Sequence, residues 1–212
     1  MVCHTRAANY VLGLTTLQMN KVHEVDGVAE NQLGRLERYG VLQTGWVGDA
    51  KTSLKKELAQ SDFEGAEAYL AQISRLQQSG ASAKSMLLGK VPEEYERLVD
   101  PYDESNDIHL RARSYLHANC AYCHVKEGGG NAKIDLAFRT SDEKMNVYDV
   151  QPLHHHFGLP DAKIVATGAP ERATLVTRLS MRGAGQMPQL GTSIPDSKAV
   201  SLISDWIQQL KP

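Results

Sequence analysis

Cys120, Cys123 and His124 stand in the spacing C-x-x-C-H. Two thiols three positions apart, with an imidazole directly after the second, constrain the chain more than any other feature, because all three must serve one group. The pattern is the attachment signature of a c-type haem. The thiols reach the two vinyl groups of one porphyrin, and the imidazole binds the iron from below. With three Cys and eight His in 212 residues, chance supplies this pattern in on the order of one to two chains per thousand.

Two other uses of C-x-x-C fit poorly. A structural zinc site needs four ligands, and no second C-x-x-C or well-spaced His pair completes the set. A thioredoxin-like pair needs its Cys at a helix N-terminus, where the dipole lowers the thiol pKa. Residues 107–119 read as a helix, with Ile108, Ala112, Tyr115, Leu116 and Asn119 along one face and Ser105 or Asn106 before it as cap. The motif therefore follows a helix C-terminus, where the dipole has the opposite sign.

A haem iron takes a ligand on its other face. Met187, in Gly185-Gln186-Met187-Pro188 ahead of the last helix, is the leading candidate. Met181, Met145 and the run His154-His155-His156 are its rivals. A Met ligand raises the reduction potential, and bis-histidine ligation lowers it. Arg139, Arg172, Arg178 and Arg182 are candidate partners of the haem propionates, each with solvated surface charge as the simpler role.

The N-terminus carries a conflict. Covalent haem attachment belongs outside the cytoplasm, yet Met1-Val2-Cys3-His4-Thr5-Arg6 has no basic start followed by an apolar run. Met1-Val2-Cys3-His4 has the form of the end of another C-x-x-C-H, whose first Cys would precede Met1. One truncation would remove that Cys and an export signal together. A second haem is thus expected only in a longer chain that includes the residue before Met1.

A net charge of −2 gives no case for nucleic acid as a partner. No run approaches the ~20 apolar residues of a membrane-spanning helix. Helices are expected at 30–39, 48–60, 62–78, 107–119, about 170–181 and 196–210, with short strands at 133–138 and 163–166. The stretch Leu98-Val99-Asp100-Pro101-Tyr102 followed by Asp103 to Asn106 reads as a linker, which puts a helical N-terminal segment at 1–102 and a second domain at 103–212.

The segments R-A-R-S-Y-L-H-A-N-C-A-Y-C-H at 111–124, G-A-P-E-R-A-T-L-V-T-R-L at 168–179 and Q-M-P-Q-L-G-T at 186–192 resemble bacterial cytochrome c-like haem domains. They are most similar to the C-terminal haem module of a family of uncharacterised secreted proteins, some joined to sugar-dehydrogenase-like propellers. The resemblance covers about residues 100–211, and M-P-Q replaces the usual M-P-P. It implies thioether roles for Cys120 and Cys123, His124 as proximal ligand and Met187 as distal ligand.

The expected fold is all-α: a cytochrome c-like domain with long irregular loops, preceded by a small helical segment that is the remnant of a truncated first haem domain. The expected function is one-electron transfer through one haem c with His/Met ligation. The chain is then an electron carrier rather than an enzyme, in the periplasm or otherwise outside the cytoplasm. Its partner is a dehydrogenase or a terminal acceptor protein. The alternatives are a peroxidase-like haem enzyme, a haem-bearing subunit of a dehydrogenase, and a non-haem metal-binding structural module.

Overall fold

A computed structural model describes residue 5 and residues 15–39 and 95–211. The chain divides into two units, Thr15–Arg97, described first, and Leu98–Pro212 with Met1–Leu14, described second. Cys3, His4 and the helices expected at 48–60 and 62–78 lie outside the described residues.

In the first unit, the one-turn helix α1 (Thr16–Met19) is capped by Thr15, whose side chain accepts from the Gln18 N–H. Strands β1 (Val22–Val25) and β2 (Val28–Asn31) follow and pair antiparallel, with Val25 opposite Val28. Asp26 and Gly27 make the connection at φ 55° and 75°. Two consecutive positive φ angles are what a two-residue hairpin needs to match strand twist, and Asp-Gly is among the pairs that adopt them most readily. Helix α2 (Gln32–Arg38) starts directly after β2. Buried Asn20 and Asn31 tie the unit together. Asn31 Nδ2 donates to Asn20 Oδ1 at 2.8 Å, and Asn20 Nδ2 donates to the Tyr95 carbonyl at 3.1 Å.

The second unit holds α3 (Ile108–Cys120), the one-turn α4 (Asp142–Met145), a 3-10 turn at Pro170–Arg172, α5 (Thr174–Ser180) and α6 (Ser197–Gln209). Asp107, not Ser105 or Asn106, caps α3 by accepting from the His109 and Leu110 N–H groups. On α6, Ala199, Leu202, Ile203, Trp206 and Ile207 are buried, the i, i+3, i+4, i+7 pattern of one core-facing stripe. That stripe packs on α3, with Ala112 and Leu116 fully buried. Each large aliphatic side chain so buried contributes about 1.5–3 kcal/mol. Trp206 Nε1 donates to His109 Nδ1 at 3.2 Å and so avoids an unpaired buried donor.

Arg113 is buried at 4% exposure. Its Nη1 donates to Asp142 Oδ1 at 2.7 Å, and its Nη2 donates to the carbonyls of Ala137, Phe138 and Thr140 at 2.8, 3.1 and 2.5 Å. One guanidinium thus fastens the loop before α4 to α3.

The all-α expectation is corrected. The first unit contains a two-stranded antiparallel sheet where a helical segment is expected, and the second contains isolated parallel bridges, Tyr148 with Val165 and Lys163 with Ala173. The six described α-helices are short, two of them a single turn. The physical reason is turn chemistry in the first unit and competing partners in the second. At 133–138, where a strand is expected, the N–H groups go to unrelated acceptors. Asp135 bonds to the Met145 carbonyl, Leu136 to the His124 carbonyl, Ala137 to Asp135 Oδ1 and Phe138 to His117 Nδ1. No helix among the described residues is long and apolar enough to cross a membrane.

Candidate functional site

Cys120 ends α3 and the motif continues in turns. The Ala121 N–H reaches back to the Leu116 carbonyl. The Cys123 and His124 N–H groups both donate to the Cys120 carbonyl, at 3.2 and 2.9 Å. These bonds wind residues 120–124 into one turn, and positions i, i+3 and i+4 of such a turn share a face. The structure therefore brings Cys120, Cys123 and His124 together. Neither thiol is in a disulfide.

The segment after the motif folds back over it. The Gly130 N–H donates to the Cys123 carbonyl at 2.9 Å, and the Leu136 N–H donates to the His124 carbonyl at 2.7 Å. Gly130 backs onto the imidazole so closely that a Cβ there would stand 2.8 Å from His124 Nδ1. The glycine at 130 is thus required by close approach rather than by backbone angle.

Burial sets the charge state of the site. The Cys120 thiol is pushed up to about 12, chiefly by desolvation and then by Cys123. A thiol held neutral in this way is unsuited to a reactive redox pair, which needs a depressed pKa. A thioether sulfur carries no charge, so apolar burial costs it little. His124 is held below its ordinary value, first by burial and then by the Arg178 charge, and so presents a neutral imidazole. Its Nδ1 is buried without a hydrogen-bond partner. These features fit a neutral ring packed on its Nδ1 side against Gly130, with a ring nitrogen available to a metal. Among the described residues no group of three or more His, Cys, Asp or Glu could hold a metal ion by itself.

Met187 lies in a cleft of about 310 Å³, lined also by Tyr115, Ala118 and Asn119 of α3, by Leu179 and by Leu190. Ala118 and Asn119 immediately precede Cys120, so this wall runs into the motif. The loop that carries Met187 is built from polar contacts. Gln186 Nε2 donates to the Pro188 carbonyl at 3.0 Å, and Arg182 donates to the Leu179, Met181 and Ile194 carbonyls and to Thr192 Oγ1. The Met187 N–H donates to the Arg178 carbonyl at 3.0 Å.

The rivals of Met187 lie elsewhere. Met145 is fully buried in the core. Met181 follows α5, with its sulfur near Gly185. His154, His155 and His156 are exposed, and the His155 ring lies 5.7 Å from that of Phe157. Of the four candidate arginines, Arg172 pairs with Asp161 at 2.5 Å, and Arg178 and Arg182 are half-buried rather than freely solvated. The sequence pattern does not mark Arg178 as the charged neighbour of His124. It is the one cation of the short helix α5, and only the tertiary fold sets it near the motif.

Comparison with protein families, with characterised proteins and with solved structures found no match for this chain.

Proposed function

We propose that the chain is an electron carrier that holds one haem c through thioethers to Cys120 and Cys123, with His124 and Met187 as axial ligands. The observation that carries this reading is the single turn at 120–124, with two thiols in no disulfide and a neutral, largely buried imidazole in C-x-x-C-H spacing.

A haem, when bound, supplies reversible one-electron chemistry. The chain's own residues do the rest. Cys120 and Cys123 would hold the ring covalently through thioethers. Gly130 leaves His124 room to stand upright, and burial keeps the imidazole unprotonated, the form that ligates metal. Met187 contributes a soft sulfur that favours the ferrous state. With His124 and Met187 holding it, the metal would be closed to substrate, and the chain would pass electrons to or from a partner protein, a dehydrogenase or a terminal acceptor. Covalent attachment of this kind supports a working place outside the cytoplasm.

The test is intact mass after denaturation, for protein exported in cells that carry haem-maturation machinery. The reading expects the chain mass plus one haem, retained in acid and organic solvent. A chain mass without addition refutes it.

A further inference from the structure

We propose that Arg178 is a positioning residue for the Met187 segment and that its charge, held beside that segment, keeps the reduction potential of the site up. This rests on the haem c reading above and adds to it the residue that fixes the Met187 loop.

Arg178 meets the Met187 segment with its backbone and its side chain. Its carbonyl accepts the Met187 N–H at 3.0 Å, and its Nη1 donates to the Gly185 carbonyl at 2.8 Å. Residues 185 and 187 are therefore fixed from one point on α5. The guanidinium also lies over the Phe157 ring, 4.7 Å from its centroid. Gly185 also lies against that ring, since a Cβ at 185 would stand 2.8 Å from Phe157 Cε1. Arg178, Gly185 and Phe157 thus form one packed cluster, and a planar delocalised cation is the side chain suited to it. Lysine offers neither the plane nor the fork.

The same guanidinium is the charged group that acts on the His124 imidazole. It is half-buried, and no described carboxylate forms an ion pair with it. A cation in a partly desolvated setting interacts more strongly with neighbouring charge than one in water. The ferric site carries one more positive charge than the ferrous site, so Arg178 disfavours the oxidised form. Reduction moves one electron from a reduced partner protein to the iron, Fe(III) becoming Fe(II), with no bond formed or broken. The Arg178 charge and a Met187 thioether push the potential in the same direction. The site therefore suits an acceptor of electrons from a low-potential partner protein.

The test compares wild type with Arg178→Gln and Arg178→Lys, each made as the covalent haem protein. Potentiometric titration reads the midpoint. The oxidised band at about 695 nm, a mark of Met ligation, reads the positioning. The α-band and far-UV circular dichroism check that each variant is folded and loaded. The proposal expects a lower midpoint and a weakened band in Arg178→Gln. It expects a midpoint nearer wild type, with the band still weakened, in Arg178→Lys, which keeps the charge and loses the fork. A loaded Arg178→Gln protein with an unshifted midpoint overturns this assignment alone. A wild type without covalent haem overturns the electron-carrier reading on which it rests.

Discussion

Gly130 stands against His124 with no room for a methyl group. A Cβ at 130 would lie 2.8 Å from the imidazole Nδ1 and 2.8 Å from the Cys123 carbonyl oxygen. Neither neighbour is the free end of a flexible chain, so Gly130→Ala must move the loop or turn the ring. Overpacking of this kind costs about 1–3 kcal/mol. The expected outcome is a lower melting temperature, with an altered ligand-field spectrum in the haem-loaded protein. A melting curve and spectrum identical to wild type would show that the loop yields freely.

Arg113 carries the loop before α4. Its bonds to Asp142 and to the carbonyls of Ala137, Phe138 and Thr140 have no replacement if the guanidinium is removed. Arg113→Met keeps the apolar stem but orphans those acceptors, which costs about 3 kcal/mol or more. Urea denaturation checks this through a midpoint shift at unchanged slope.

Acid should weaken the second unit through Asp149. Its carboxylate accepts from Thr167 Oγ1 at 2.7 Å and from the Thr167 N–H at 3.0 Å. The side-chain bond from Thr167 is the main cause that holds its pKa below the ordinary Asp value. A depressed folded pKa means stability present above the unfolded pKa and lost as pH falls through the folded one. Asp149→Asn tolerates the residue's φ of 55° but removes the charge. Wild type is expected to melt higher than Asp149→Asn at neutral pH, with the gap closing as pH falls through and below the ordinary Asp range. A gap that stays constant across that range would contradict the assignment.

The hairpin depends on Gly27. At φ 75°, with no heavy atom within 4 Å of an added Cβ, Gly27→Ala meets no clash and suffers only the backbone penalty, about 1–2 kcal/mol. Amide exchange across residues 22–31 is expected to quicken. Unchanged protection there would contradict the turn described for Asp26 and Gly27.

How much of this was legible in the sequence depends on how local the cause is. Helices α3 and α6 follow from 3.6-residue periodicity, and Ile203, Trp206 and Ile207 are buried as their spacing implies. The hairpin has a local signal in Val25-Asp26-Gly27-Val28, but the expected helical segment passes over it. The Leu33 and Leu36 spacing instead extends a helix back to residue 30, over residues that belong to β2. Arg113 and Arg178 were not legible. A lone Arg in an amphipathic helix reads as solvated, and what buries these two is convergence of distant loops, 137–140 on one and 185–187 on the other. At the candidate site, the clustering of Cys120, Cys123 and His124 follows from spacing alone. Arg178 holds the Met187 segment and acts electrostatically on His124, a relation that exists only in the fold.

The measurement that bears most directly on the central claim is the reduced-minus-oxidised absorption spectrum of protein matured with haem, beside its Cys120→Ala/Cys123→Ala variant. The account predicts a sharp reduced α-band at about 550 nm in wild type that survives denaturation, and no covalent haem in the variant. Covalent haem retained without both thiols, or a wild type that takes up none, would contradict it.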